Sequence, residues 1–150
     1  MARPKPPAAP TIALTPEDAE AAFYEAMAGG DVGRMMALWV DDEDALCVHP
    51  GGGRIVGTAA VRASYEAILA DGGIPVSYDA VHRLQRAEVA VHHLIERVVV
   101  DSARGRSELR MLATNVYLKT PLGWRIAVHH VTAAGPDDRP PPEAAPTTLH

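Results

Sequence analysis

Seven histidines and a single cysteine are the side chains here best suited to chemistry near neutral pH. His49 is followed by Pro50 and by Gly51, Gly52 and Gly53, which read as a turn with no phosphate-binding context. A histidine at such a strand end sits on a rim, where its ring can face a pocket and exchange a proton. Cys47 stands two residues earlier on the same strand face, and thiol–imidazole pairs can be nucleophilic. Residues i and i+2 of a strand are about 6.5–7 Å apart at Cα, which predicts no direct hydrogen bond between them. Cys47 then reads as a small core residue.

The doublets His92-His93 and His129-His130 invite a metal reading, but strand neighbours point to opposite faces, so neither doublet chelates through both rings. The chain has no His-x-x-x-His or Cys-x-x-Cys spacing. The expectation is therefore no metal and no cofactor.

The elements that must position these residues follow from local signals. Thr15-Pro16-Glu17-Asp18 is a helix start, and the helix should run to about Ala28, burying Ala19, Ala22, Phe23, Ala26 and Met27. Asp31 caps a second short helix through Met35, Met36 and Leu38. Residues 45–49 alternate as a strand, 54–56 as its return, and Thr58 to about Ala70 as a third helix with Val61, Tyr65, Ile68 and Leu69 at helical spacing. Strands at about 76–85, 88–101, 106–119 and 123–132, joined by short polar turns, form a meander. Three helices followed by a meander predict an α+β fold, a layer of helices on an antiparallel sheet.

Turn lengths give a registration. A hairpin loop at Ser102–Gly105 pairs Asp101 with Arg106, His92 with Asn115 and Glu96 with Met111. A loop at Thr120–Gly123 puts Asn115 opposite Val128 and Ala113 opposite His130. The helix-facing side then carries His92, Glu96, Asn115, Tyr117, Trp124, Ile126 and His130. The other side carries Val91, Ile95, Leu112, Val116, His129 and Val131, with Arg97, Arg110 and Arg125. That second face is expected to form a homodimer through Val91, Ile95, Leu112, Val116 and Val131, rimmed by Arg97 and Arg110.

Composition sets the outer bounds. With 150 residues, 47% hydrophobic and 22% charged, the chain suits one globular domain. A net charge of −5 with scattered cations argues against nucleic-acid binding. No apolar run is long enough to span a membrane and no secretory signal opens the chain, so a cytoplasmic location is expected. Proline-rich residues 1–11 and 134–150 read as disordered tails around a domain at 12–133.

Tyr24 to Gly53, with Ala28-Gly29-Gly30-Asp31, Ala37-Leu38-Trp39, Asp41-Asp42 and His49-Pro50, resembles the opening of SnoaL-like and ketosteroid-isomerase-like domains. These belong to the nuclear-transport-factor-two-like superfamily. The closing strands are also similar: Ala113-Thr114-Asn115-Val116-Tyr117, then Gly123 to His130. The resemblance implies a cone, a strongly curved antiparallel sheet packed by three N-terminal helices around a pocket. It places the family's base position on His49, its oxyanion acid on Asn115 and its oxyanion tyrosine on Phe23, with Tyr24 pointing elsewhere. All three differ from steroid isomerase, so that activity is not expected. His49 as base and Asn115 as hydrogen-bond donor still make a proton-transfer site. Phe23, Trp39, Tyr65, His92, Glu96, Tyr117 and His130 are the expected pocket lining. The ligand implied is a small apolar carbonyl compound, to be isomerised, cyclised or dehydrated. The alternative is a non-catalytic ligand-binding or dimeric interaction module, favoured if Trp39, Phe23 and Tyr65 plug the pocket.

Overall fold

The computed structural model describes residues 12–136 and 138. Most of the proline-rich tails expected at the two ends lies outside the described residues. Helix α1 (Pro16–Gly29) begins where the sequence places it: the Thr15 hydroxyl accepts from the Asp18 amide at 3.0 Å, and Pro16 fills the first turn. It ends at Gly30, whose φ of 65° is left-handed and open to glycine. Asp31 caps α2 (Val32–Ala37) by accepting from the Arg34 amide at 2.9 Å. Helix α3 (Thr58–Ile68) is pinned at its start by Thr58, whose Oγ1 accepts from the Asp42 amide at 2.8 Å.

The strands are β1 (Leu46–Val48), β2 (Arg54–Val56), β3 (Ser77–Gln85), β4 (Val89–Ser102), β5 (Gly105–Thr120) and β6 (Gly123–Ala133). They form one curved sheet in the order β2-β1-β6-β5-β4-β3, wrapped by the three helices as an α+β cone. The sheet is antiparallel except where β1 pairs parallel with β6, Cys47 beside His129. That pairing carries His49, just past β1, to the side of the last strand.

Between β4 and β5 the register is the one read from the hairpin: Asp101 with Arg106, Glu96 with Met111, His92 with Asn115. Between β5 and β6 it departs. Lys119 pairs with Trp124 and Tyr117 with Ile126, but Val116 pairs with Val128, so Ala127 is an extra residue on β6. Beyond this bulge every side chain of β6 changes face. Asn115 lies opposite His129, not Val128. His129 and Val131 are buried at 2% exposure each, while His130 is exposed. The expected pocket residue His130 and the expected outer-face residue Val131 are thus exchanged with their neighbours. A second irregularity between Ala80 and His82 sets Tyr78 opposite Glu96 and Arg83 opposite His92.

The core is the space between α1, α3 and the inner sheet face, filled by Phe23, Met35, Trp39, Tyr65, Leu94, Tyr117 and Ile126, each at 1% exposure or less. Among the described residues no helix is long and apolar enough to cross a membrane.

Candidate functional site

The inner face of α1 is wider than its apolar residues alone suggested. Glu20 and Tyr24, four residues apart, are buried beside Ala19, Phe23 and Met27. Tyr24 therefore points into the cone, correcting the expectation that it points elsewhere. Adjacent helix positions are about 100° apart, and the buried stripe is broad enough to hold both Phe23 and Tyr24.

Tyr24 links the helix to the sheet. Its hydroxyl donates to Glu96 Oε2 at 2.6 Å and accepts from Asn115 Nδ2 at 3.1 Å. The same Nδ2 donates to the Tyr117 hydroxyl at 3.3 Å. Asn115 Oδ1 faces His129 Nδ1 at 2.6 Å. The amide oxygen only accepts, so His129 carries its proton on Nδ1 in this arrangement. Four buried polar groups form an unbroken run: His129, Asn115, Tyr24, Glu96. Burial pushes the Glu96 carboxyl above the ordinary glutamate range, against the lowering effect of the Tyr24 hydrogen bond. Burial, with the nearby His49 and His130 rings, holds the His129 imidazole down at about 3.

His49 stands at the accessible end of this run. Its ring centroid is 6.4 Å from that of His129 and 5.1 Å from that of Tyr65. Its Nε2 is 3.0 Å from the Ser64 hydroxyl, which itself donates to the Val61 carbonyl at 2.6 Å. With the hydroxyl proton engaged there, Ser64 accepts from His49 Nε2–H, and the lone pair is left on Nδ1. Partial burial lowers the His49 basicity, so the ring is neutral at pH 7. That Nδ1 has only a long contact, 3.9 Å to Cys47 Sγ, and a half-buried neutral imidazole with such a lone pair is a competent base.

Cys47 Sγ lies 3.5 Å from His49 Nε2, closer than the Cα spacing predicted, because the imidazole reaches back along the strand. The thiol is nevertheless pushed up to about 12 by burial, so no thiolate forms.

His49 and Asn115 do not meet. Asn115 has no exposed surface and both ends of its amide are engaged, so its contact toward His49 passes through His129. Phe23, Tyr65, Tyr117 and His92 also have no exposed surface, Trp39 has 1% and Glu96 has 4%. The expected pocket lining is packed core at these positions, and His130 is outside it. His92 does not join Glu96. Its Nδ1 instead bonds Glu20, a buried carboxylate that also receives Arg83 at 3.1 Å. A surface depression of about 400 Å³ lined by Asp41, Asp42, Glu43, Val56, Gly57 and Thr58 involves none of these residues. Among the described residues no three His, Cys, Asp or Glu side chains converge as metal ligands.

Sequence reasoning missed Glu20, Tyr24, Ser64 and His129. The first two were signalled by helical spacing, since polar residues fell on the buried stripe. Ser64 likewise falls between Val61 and Tyr65 on the inner face of α3. The sequence offers His129 only as half of a doublet, on the face that the expected register turns outward.

A curved sheet wrapped by three helices into a cone is the nuclear-transport-factor-two-like fold. Residues 17–134 match the SnoaL-like domain family, and the chain belongs to it. A solved structure from Thiobacillus denitrificans, provisionally described as a calcium/calmodulin-dependent protein kinase type II association domain, is 32% identical. It superposes with a TM-score of 0.74, over 83% of this chain and 99% of that one. A structure from Streptomyces avermitilis, provisionally described as a dehydratase of the NTF2-like family, is 28% identical, with a TM-score of 0.69 over 78% of this chain and 92% of that one. A ketosteroid-isomerase-like protein from Erwinia carotovora atroseptica shares the fold, with a TM-score of 0.66 at 18% identity over 80% and 94%. No curated protein matches the chain.

Proposed function

We propose that this SnoaL-like protein binds a small, largely apolar carbonyl compound and enolises it by cofactor-free acid–base chemistry, with His49 as the base. The observation that carries this reading is the His49 ring itself. It is half-buried and neutral, Ser64 fixes it with the lone pair on Nδ1, and its ring centroid is 6.4 Å from that of a second imidazole that heads a buried hydrogen-bond run. In the proposed step, His49 Nδ1 takes the proton from the carbon next to the carbonyl. The C–H electron pair forms the enolate C=C, and the charge moves to the carbonyl oxygen. In this step His129 donates to that oxygen from Nε2–H, the tautomer in which its Nδ1 accepts from the Asn115 amide behind it. The dehydratase description of the Streptomyces avermitilis relative suits the same chemistry, since loss of water next to a carbonyl starts with this proton.

The test is hydrogen–deuterium exchange at the α-carbons of an apolar ketone such as 2-tetralone in D2O, followed by proton NMR. Exchange above the buffer rate in the wild-type protein, lost in His49→Gln, supports the reading. Equal exchange in both proteins overturns it.

A second reading has its own support: a dimeric interaction module. Phe23, Trp39 and Tyr65 fill the cone at 1% exposure or less, and the 32% identical relative is described as an association domain. The outer sheet face supplies an apolar surface at Val91, Leu112 and Val116, which are half-buried, beside Ile95, which the monomer already covers.

A further inference from the structure

The run from His129 to Glu96 can be traversed by hydrogen bonds in two directions. In the first, every donor points toward the carboxyl. His129 Nδ1–H donates to Asn115 Oδ1, Asn115 Nδ2 donates to Tyr24, and Tyr24 donates to Glu96 Oε2. This arrangement suits an ionised Glu96, whose Oε2 accepts and has no proton to donate. In the second, Glu96 is protonated on Oε2 and donates from it to the Tyr24 oxygen, 2.6 Å away. The Tyr24 proton must then go to Asn115, which receives it by turning its amide half a revolution about Cβ–Cγ. Oδ1 now accepts from Tyr24 and Tyr117, and Nδ2 donates to His129. His129 therefore accepts at Nδ1 and carries its own proton on Nε2.

Every contact within the run is satisfied in both arrangements, whereas a proton on Glu96 Oε2 without the Asn115 turn sets two buried donors against each other. Tyr24, Glu96, Asn115 and His129 are at most 4% exposed, so water cannot repair a mismatch. We infer that Glu96 is a positioning residue that sets which nitrogen of His129 carries the proton, acting through Tyr24 and Asn115. The balance is one proton, taken up by Glu96. His129 gives up the proton on one nitrogen, gains one on the other, and stays neutral.

The groups around Glu96 do not compete for this role. It is faced by Tyr24 from α1, Tyr78 from β3, Tyr65 from α3 and Tyr117 from β5, all of them phenols that burial pushes above their ordinary range. No cation pairs with Glu96 among the described residues. Around His129 the titratable neighbours are His49, His130 and, from β1, the un-ionised thiol of Cys47. Burial raises the Glu96 carboxyl above the ordinary glutamate range and holds His129 at about 3, so the carboxyl takes up its proton while the imidazole is still uncharged.

The consequence for a ligand rests on the proposed His49 site. With Glu96 ionised, His129 Nε2 is an acceptor, and with Glu96 protonated it is a donor. A carbonyl oxygen therefore fits the acid form of the site, and a hydroxyl group fits the alkaline form.

The tautomer can be read without any ligand. In protein labelled with 15N-histidine and 13C-glutamate, long-range 1H–15N correlation spectra follow His129 while the carboxyl carbons are titrated from about pH 4 to pH 9. The expected result is a His129 Nε2 that shifts from the protonated to the unprotonated nitrogen range as Glu96 ionises, with the same midpoint. Tyr24→Phe breaks the run and Glu96→Gln removes the titration, and in each the His129 tautomer should stop responding to pH. A single wild-type tautomer across the whole range overturns the inference. So does a switch that persists in either folded variant. A failed tautomer test leaves His49 free to act as a base, and a failed exchange test leaves the tautomer switch intact.

Discussion

His129 Nδ1 approaches Asn115 Oδ1 to 2.6 Å, joining the last strand of the sheet to a polar run that reaches α1. The contact exists because the Ala127 bulge turns His129 inward, and it holds a neutral imidazole where water does not reach. An uncharged buried histidine has a defined thermodynamic signature.

Stability should fall in acid because of His129. Its basicity is held at about 3 in the folded protein, against about 6.5 in the unfolded chain. Between those values the unfolded state binds a proton that the folded state refuses, so the stability is complete above about 6.5 and is lost as pH drops toward 3. Glu96 works in the opposite sense. Its raised value makes the folded state hold a proton longer, so stability falls as pH rises from the unfolded glutamate value through the folded one. Urea midpoints measured from pH 4 to pH 8 should show a shallower acid slope in His129→Gln and a shallower alkaline slope in Glu96→Gln. Unchanged slopes in both would show that the run does not bury these groups.

Replacing His49 by glutamine should cut any α-proton exchange by roughly 10²–10⁴-fold, the usual contribution of a general base. The fold should be little affected, because the His49 ring is half-buried and its firm hydrogen bond is to the α3 hydroxyl of Ser64. A thermal midpoint that collapses together with activity would make His49 a structural residue instead.

Glu20 is at 1% exposure, bonded to His92 and paired with Arg83 at 3.1 Å. Glu20→Ala leaves the His92 Nδ1 without its partner inside the core and should destabilise by about 3–5 kcal/mol. Arg83→Ala should cost much less, since that side chain is 43% exposed and its contribution is screened. Equal losses in the two variants, measured by urea unfolding, would contradict this ranking.

The outer sheet face is expected to pair two copies. Leu112→Arg and Val116→Arg introduce charge at its centre while leaving the inner face alone, and they should convert a sedimenting dimer to a folded monomer. A wild-type protein that sediments as a monomer at micromolar concentration sinks the dimer.

Tyr24→Phe removes a donor to Glu96 and an acceptor from Asn115, both inside the cone. The expected cost is about 1–3 kcal/mol by thermal or urea unfolding. No loss at all would mean that water reaches the run.

Local chemistry along the chain determined a great deal. The caps at Thr15 and Asp31, the helical spacing of Val61 and Tyr65, and the β4–β5 hairpin register are all set by residues near one another in sequence. Those signals, together with the family resemblance, placed His49, Asn115 and Glu96 on the inner side. The tertiary structure decided what they touch. One extra residue at Ala127 exchanged His130 for His129, because strand side chains alternate and a single-residue shift moves each to the other face. The break between Ala80 and His82 likewise brought Arg83, rather than His82, opposite His92. No residue pattern announces either bulge, since each is fixed by how β3 and β6 fit a sheet already curved around the helices. His49 stands half-buried just past β1, and the hydrogen-bonded run behind it was decided by the fold alone.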